Sequence, residues 1–531
     1  MSLLRFALSP LLLATTPLQP LAAQASQPDP NLSGVNRYAS SDEQVTSISQ
    51  FADVKPTDWA YQALSNVIER YGCVAGYPDS TFKGGQAITR FEAAALLNAC
   101  LDRITETTDE LKKLLTEFQK ELAILKGRVD GLDTKVGKLE ANQFSTTTKL
   151  SGLATFVVGG VGYSGSAYNS ATNTVRRRTG TPVTGVNENV TFNYDLQLNL
   201  DTSFTGKDLL RTNLRAGNFG NSAFGGEPHG IGNYAELEIA FEEDSGADNV
   251  GIYKLFYQFP IGKQFTATVG ARVGQEDMLA LWPSVYPADT ILNLFTVNGA
   301  PAAYSKNLGA GAGLWWQNKG WSVSANYVAA LGSDSTDGLF TSESGATASV
   351  QMGYQQEQWG LAAIWSYVQP NTQFVPGTTP TVHSSIDHGE KVGAETNAFG
   401  LSGFWQPLKS GWVPSVSLGW GINKTSYSVA TTGRPSVSQS WMVGLQWTDV
   451  LAQGNDFGVA VGQAVFATSL TGGVSADDGN YALEGWYKFQ LTDAISITPA
   501  LFYLSRPLGQ RTPEGQGFSS LGALLKTTFK F

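Results

Sequence analysis

Charge is scarce in this chain. Asp, Glu, Lys and Arg make up only 15% of its 531 residues, and the balance is acidic, with a formal net charge of −10. That sign argues against nucleic acid as a partner. Histidine is rarer still, limited to His229, His383 and His388. None of the three stands at the spacing of a nucleophile–base pair or of a zinc site, so no enzyme activity, metal or cofactor is expected. Cysteine is limited to Cys73 and Cys100. These are either a disulfide of an oxidising compartment or two buried thiols. Long apolar runs are missing too. No stretch reaches the ~18 residues of a membrane-spanning helix, which excludes helical insertion.

Glycine (58 residues) and aromatics (11%) are abundant, a composition that suits an all-β membrane protein. From residue 146 to 531 the chain reads as short alternating strands. Phe192, Tyr194, Leu196, Leu198 and Leu200 fall on one face, and Asn193, Asp195, Gln197, Asn199 and Asp201 on the other. Tyr481, Leu483, Tyr487, Phe489 and Leu491 oppose Glu484, Lys488 and Gln490 in the same way. Leu210, Thr212 and Leu214 oppose Arg211, Asn213 and Arg215, and Leu237, Ile239 and Phe241 oppose Glu236 and Glu238. Charges recur in mid-strand, always on the polar face. A transmembrane barrel with lipid outside and water inside requires this pattern, and its backbone must close on itself.

The fold class expected is therefore mainly β: an antiparallel transmembrane β-barrel of about 16 strands, with 18 as the upper count. Strands are expected at 149–162, 189–204, 208–217, 233–241, 251–259, 263–272, 308–318, 321–330 and 346–355. Others follow at 360–368, 398–406, 414–423, 441–447, 457–466, 481–491, 495–504 and 521–531. Short connections (318–320, 407–411) suit periplasmic turns, and long ones (165–185, 273–306, 370–395) suit the outer side. The 273–306 connection is too long and aromatic for a plain hairpin loop, carrying Trp282, Pro283, Tyr286 and Pro287. It either enters the lumen as a constriction, with Glu276, Asp277 and Asp289, or folds over the rim. The inward set is read as Asp195, Asp201, Arg211, Arg215, Glu236, Glu238 and Lys254. The adjacent strands 208–217 and 233–241 set Arg211 and Arg215 against Glu236 and Glu238. Such charges form either a transverse field that orders water or a cross-strand salt-bridge ladder.

Four segments precede the barrel. Residues 1–25 read as a secretory signal, with Arg5, an apolar stretch and Ala23-Gln24-Ala25 as a small-x-small cleavage site. Residues 26–48, rich in Ser, Pro, Asn and Asp, read as a linker. Residues 49–103 form a small helical domain, with Asp58 and Thr89 as N-caps and Glu92 completing a capping box. Residues 104–145 form a stalk. Leu115, Leu122, Val129 and Val136 take heptad a positions, and Leu111, Phe118, Leu125, Leu132 and Leu139 take d. The stalk predicts a self-associating coiled coil on the order of 55 Å long. Branching at a and d does not settle dimer against trimer.

The 49–103 segment resembles the S-layer homology (SLH) motif. The resemblance rests on Phe51-Ala52-Asp53-Val54, Asp58-Trp59-Ala60, Gly76-Tyr77-Pro78-Asp79, Thr81-Phe82 and Ile88-Thr89-Arg90-Phe91-Glu92. It implies binding of cell-wall polysaccharide linked to peptidoglycan, with Trp59, Asp79 and Arg90 as the contacting residues. The alternative roles are a core Trp59, a turn-forming Asp79 and a solvated Arg90. Phe91 departs from the small residue common in the family. The succession of SLH domain, coiled coil and barrel resembles the major outer-membrane porins of cyanobacteria, whose barrel is similar to the OprB-type carbohydrate-selective porins. Terminal Phe531 resembles the signal read by outer-membrane assembly machinery. The resemblance implies a homotrimer in outer-membrane lipid, with the SLH domain and stalk in the periplasm. It implies passive diffusion of small hydrophilic solutes, whether inorganic ions, iron or sugars, together with anchoring to peptidoglycan-linked polysaccharide. The alternative is a structural tether with incidental conductance.

Overall fold

Lipid offers no hydrogen-bond partner, so every rung of a membrane-spanning sheet must be paired. Sixteen antiparallel strands satisfy this by closing into a barrel. In the computed structural model the described residues are the strand pieces Gln44–Val45 and Val74–Ala75 and residues 147–531. From the latter range 179–181, 185, 187, 226–232, 244, 288–290, 371, 373–376, 379–380 and 382–392 are excepted. The chain forms two compact units, Met1–Gln143 and Phe144–Phe531. In the first, Gln44 pairs with Ala75 and Val45 with Val74, so two residues of the expected linker join a strand pair. The signal, the remaining linker, the helices with Trp59, Asp79 and Arg90, both cysteines and the heptad stalk lie outside the described residues. So do Asp289 and the three histidines.

The first eight barrel strands are β1 (Thr148–Ser164), β2 (Thr191–Thr202), β3 (Leu209–Gly217), β4 (Gly251–Ile261), β5 (Phe265–Gly274), β6 (Leu308–Asn318), β7 (Trp321–Ala329) and β8 (Ala346–Gln355). The second eight are β9 (Trp359–Val368), β10 (Ala394–Trp405), β11 (Ser415–Tyr427), β12 (Pro435–Thr448), β13 (Asp456–Leu470), β14 (Tyr481–Thr492), β15 (Ile495–Ser505) and β16 (Ser519–Lys530). Each pairs with its neighbours in sequence, and β16 closes on β1 with Leu524 opposite Gly159. The short connections share one end of the barrel with the start of β1 and the end of β16. One of the two tightest is Lys319-Gly320, where both residues take positive φ (48° and 87°), the combination a two-residue hairpin of this hand needs.

The outer face is apolar. Phe192 is 67% exposed while its neighbours Asn193 and Asp195, on the other face, are buried. The inner face has three sectors. On β2–β4 it is charged, with Asp195, Arg211, Arg215 and Lys254. On β6–β11 it is small and polar, with Ser324, Ser349, Ser366, Ser402 and Ser417 all buried. On β12–β16 and β1 it is mixed: Met442, Trp486, Phe502, Leu504, Leu524 and Val157 belong to one core cluster, while Ser496, Thr498, Lys526 and Thr528 are buried polar residues on the same strands. The bore is thus not uniformly wet.

One expected strand is absent from the wall. Residues 233–241 form a short 3-10 turn, Asn233–Ala235, and then a single antiparallel bridge between Leu237 and Leu292. The wall partner of β3 is β4, with Asn213 opposite Lys254. The alternation of 233–241 is real but has another origin. Leu237 and Ile239 pack into a core inside the barrel with Ile291, Leu294 and Phe295, which leaves Glu236 and Glu238 facing open space. Any extended segment lying between an apolar and an aqueous region acquires period-two burial, whether or not it has strand neighbours.

Candidate functional site

The site is built by two connections that enter the barrel, 218–250 and 275–307. The second is held against the small polar sector by wall hydroxyls and amides. Ser324 Oγ accepts from the Ala280 N–H (2.9 Å), and Ser417 Oγ from the Val285 and Tyr286 N–H groups (3.0 Å each). Ser366 donates to the Ala303 carbonyl (2.8 Å), Ser402 to Asn298 (2.7 Å) and Ser440 to Gly299 (2.9 Å). Serine suits these positions because its side chain is short enough for a second backbone to approach, and its hydroxyl can donate or accept. On the β12–β16 sector, Glu484 of β14 accepts from the Tyr286 hydroxyl (2.6 Å) and from the Leu292 N–H (2.9 Å). Trp486 Nε1 donates to the same Tyr286 oxygen at 2.6 Å. The segment therefore spans the lumen from one sector to another.

Between these segments and β2–β4 lies a cavity of about 820 Å³. Arg211, Arg215, Glu236, Glu238, Lys254 and Glu276 all line it. The other expected residues stand behind. Asp195 is fully buried and pairs with Arg215 (Nε to Oδ1, 2.6 Å), so it faces inward without meeting the open space. Asp201 pairs with Arg211 through two bonds of 2.8 and 2.7 Å. Asp277 shares Lys254 Nζ with Glu276, each at 2.6 Å.

The expected opposition of Arg211 and Arg215 to Glu236 and Glu238 on adjacent strands is therefore corrected. Both arginines are neutralised by β2, because β3 neighbours β2 and not 233–241. Glu238 pairs instead with Lys306 (2.7 Å), and Thr296 donates its hydroxyl to it (2.7 Å). Arg215 also lies against the rings of Phe241 and Tyr253, at 4.4 and 4.7 Å from their centroids, and the two rings meet each other edge to face. Sequence reasoning missed Lys306, Arg272 and Tyr304, which line the cavity beside Trp282 of the expected constriction segment. Lys306 had one signal: it is the sole charge between residues 291 and 307. The outcome is a polar chamber in which Arg211, Arg215, Lys254, Lys306, Glu238 and Glu276 are held in local ion pairs, presenting both signs and aromatic surface to whatever enters.

At the mouth formed by the long connections, Thr378 and Thr381 of the connection between β9 and β10 meet β13, which is not a wall neighbour of either strand. Thr378 N donates to the Val465 carbonyl (2.9 Å), and the Thr381 hydroxyl donates to the same oxygen (2.8 Å). Buried Asp478 fastens this crossing. It accepts from the Thr378 hydroxyl (2.6 Å), the Ala467 N–H (2.7 Å) and the Gln510 N–H (2.8 Å). Burial pushes its carboxyl up to about 6, against the pull of those three donors. Its neighbour Asp477 is held below the usual carboxylate range by Arg506 and Arg178. At the opposite end, the turn carboxylate of Asp208 is held well below that range by the Tyr257 hydroxyl and the Thr205 and Ser203 donors.

Comparison with known proteins places these features. The model of the family described as "Carbohydrate-selective porin, OprB family" matches residues 105–531, and that of the S-layer homology domain matches residues 50–94. An uncharacterized protein of Nostoc sp. is 34% identical over 94% of this chain and 88% of its own length. One of Synechocystis sp. is 32% identical over 89% of each. Among solved structures, Pseudomonas putida OprB covers 72% of this chain and 94% of its own at 10% identity, with a TM-score of 0.47. With the family match spanning four-fifths of its length, this chain belongs to the OprB family of carbohydrate-selective porins and is an outer-membrane porin carrying an SLH domain.

Proposed function

We propose that the barrel passes small hydrophilic solutes by passive diffusion through the chamber between β2–β4 and the two inward connections. The observation that supports this is the 820 Å³ cavity itself, polar and charged inside a barrel whose outer face is apolar. Pore-lining roles go to Arg211, Arg215, Glu236, Glu238 and Lys254, with Asp195 and Asp201 setting the arginines from behind. Glu276, Asp277 and Asp289 belong to the segment that narrows the lumen. Paired charges of both signs favour polar solutes of either sign, such as inorganic ions, iron complexes or sugars, over apolar ones. Diffusion uses no fuel and no covalent chemistry, so the chain acts as a channel and not as an enzyme. Conductance of the purified protein in a planar bilayer tests this; a folded barrel that passes no current would remove the pore.

We further propose that residues 49–103 bind peptidoglycan-linked polysaccharide through Trp59, Asp79 and Arg90, after removal of a signal at 1–25 and beyond a linker at 26–48. The heptads at 104–145 would gather three chains. The chain enters the barrel at the end with the short turns, the periplasmic end in barrels of this class. Sedimentation with isolated peptidoglycan tests the link: Arg90→Ala should abolish pelleting. Tethering with incidental conductance is the second reading, favoured by the apolar core that occupies part of the lumen beside β12–β16.

A further inference from the structure

A second cavity lies on β13–β16, at the end of the barrel with the short connections. It measures about 100 Å³, and among the described residues none lines both it and the chamber. Apart from Pro287 of the inward segment and Trp486, its lining is polar. Lys488, Lys526 and Lys530 contribute three positive charges, against one carboxylate, Asp456. The strand register explains why they meet. Asp456 of β13 stands opposite Lys488 of β14. Phe489 stands opposite Ile497, which sets Lys488 beside Thr498 of β15, and Thr498 stands opposite Lys526 of β16. These four residues form one row across the inner face. Lys488 and Lys526 thus flank Thr498 with their backbones on the order of 10 Å apart, a gap that two lysine side chains can close on one small ion. The next row sets Gln490 opposite Ser496 and Ser496 opposite Thr528. Lys530 follows on the same face of β16 and is exposed at the mouth.

Two of the lining groups have unused donors. Ser496 and Thr498 are buried, and no hydrogen bond among the described residues uses either hydroxyl. Buried hydroxyls ordinarily have partners, so two that point into a charged cavity mark a place for a polar guest. The charges are already positioned. Lys488 is held by its ion pair with Asp456, and Lys526 is buried with contacts of its own.

We propose that this cavity binds a small, doubly charged inorganic oxyanion at the short-turn mouth, with hydrogen phosphate as the best fit. The lysines supply charge, and the Ser496 and Thr498 hydroxyls supply short donors, the combination that makes strong bonds to an oxyanion. Lysine acts as a point charge, which suits an ion approached from several strands at once. Asp456 is the one carboxylate in the lining, and it can accept from a ligand that still carries a proton. Hydrogen phosphate carries one and sulfate does not. Because the wall strands hold these groups already, binding orders little. The inference is independent of solute passage through the chamber, since the two cavities are lined by different residues.

The test is calorimetric titration of the full-length protein in neutral detergent, at neutral pH, with inorganic phosphate. Parallel titrations use sulfate, and chloride at matched ionic strength. Phosphate should bind saturably, sulfate more weakly, and chloride without saturation. Thr498→Val/Lys530→Gln should weaken phosphate binding about tenfold or more. Lys530 is exposed and valine keeps the branched shape of Thr498, so this barrel should fold, which circular dichroism checks. Equal affinities for sulfate and phosphate keep the site and remove Asp456 from it. Absence of saturable phosphate binding overturns the site. So does unchanged affinity in the folded double variant, and phosphate binding lost in Arg211→Ala but not in the double variant would place the anion in the chamber instead.

Discussion

The Tyr286 hydroxyl donates to Glu484 at 2.6 Å although the two residues lie 198 apart in sequence. One belongs to a connection and the other to the wall, so this bond decides where the inward segment sits. Glu484 holds a second donor, the Leu292 N–H, on the same segment. Glu484→Ala leaves both donors buried without acceptors, which costs about 3 kcal/mol of docking. Single-channel recordings should then show larger and noisier open levels. Glu484→Gln keeps one acceptor and should lie between the two.

Docking at the opposite sector depends on close backbone approach. A Cβ on Gly419 would stand 1.8 Å from the Asn298 carbonyl oxygen, and Gly299, beside it, takes φ +68°. Gly419→Ala must therefore push the segment off the wall, at a cost of about 1–3 kcal/mol. Ala300, now buried, reports the displacement. With Cys73 and Cys100 changed to serine, a cysteine introduced by Ala300→Cys should resist a thiol reagent in the parent and react in the Gly419→Ala background.

The two arginines of β3 should behave differently. Arg215 and Asp195 are buried, with side chains 7% and 0% exposed, whereas Arg211 and Asp201 keep 33% and 28%. Arg215→Ala strands a buried carboxylate, a loss of about 3–5 kcal/mol that should appear as a lower apparent unfolding temperature. Arg211→Ala costs about 1 kcal/mol or less. Its effect should be electrical instead. Asp201 loses its partner near the chamber, so reversal potentials in a salt gradient should shift toward cations.

Much of this was legible in the chain, for a physical reason. Lipid tolerates only apolar side chains over the whole height of the wall, so β2 and β14 announced both their faces. Residues 233–241 misled because alternation reports burial on two sides, not the identity of strand neighbours. The wall serines carried no signal at all. Ser402 and Ser440 are ordinary strand residues until the backbone of Asn298 and Gly299 arrives from more than a hundred positions away. Pairings such as Lys306 with Glu238 were hidden likewise, since each member lies in a segment whose path is set by the other's surroundings.

The crossing at the outer mouth should respond to acid through Asp478. Its folded carboxyl titrates near 6, above the ordinary aspartate value of 3.8. The folded state therefore binds this proton more tightly than the unfolded chain does. Stability from that proton is complete below pH ~4, declines as pH rises to about 6, and is constant above. Asp478→Asn cannot titrate and should lack this decline. It also loses one acceptor at every pH, which only offsets its curve. The difference in apparent unfolding temperature between the two proteins, taken at one scan rate because such barrels unfold under kinetic control, should change between pH 4 and 6 in favour of the variant. A difference independent of pH would mean that the Asp478 carboxylate is not strained by its burial.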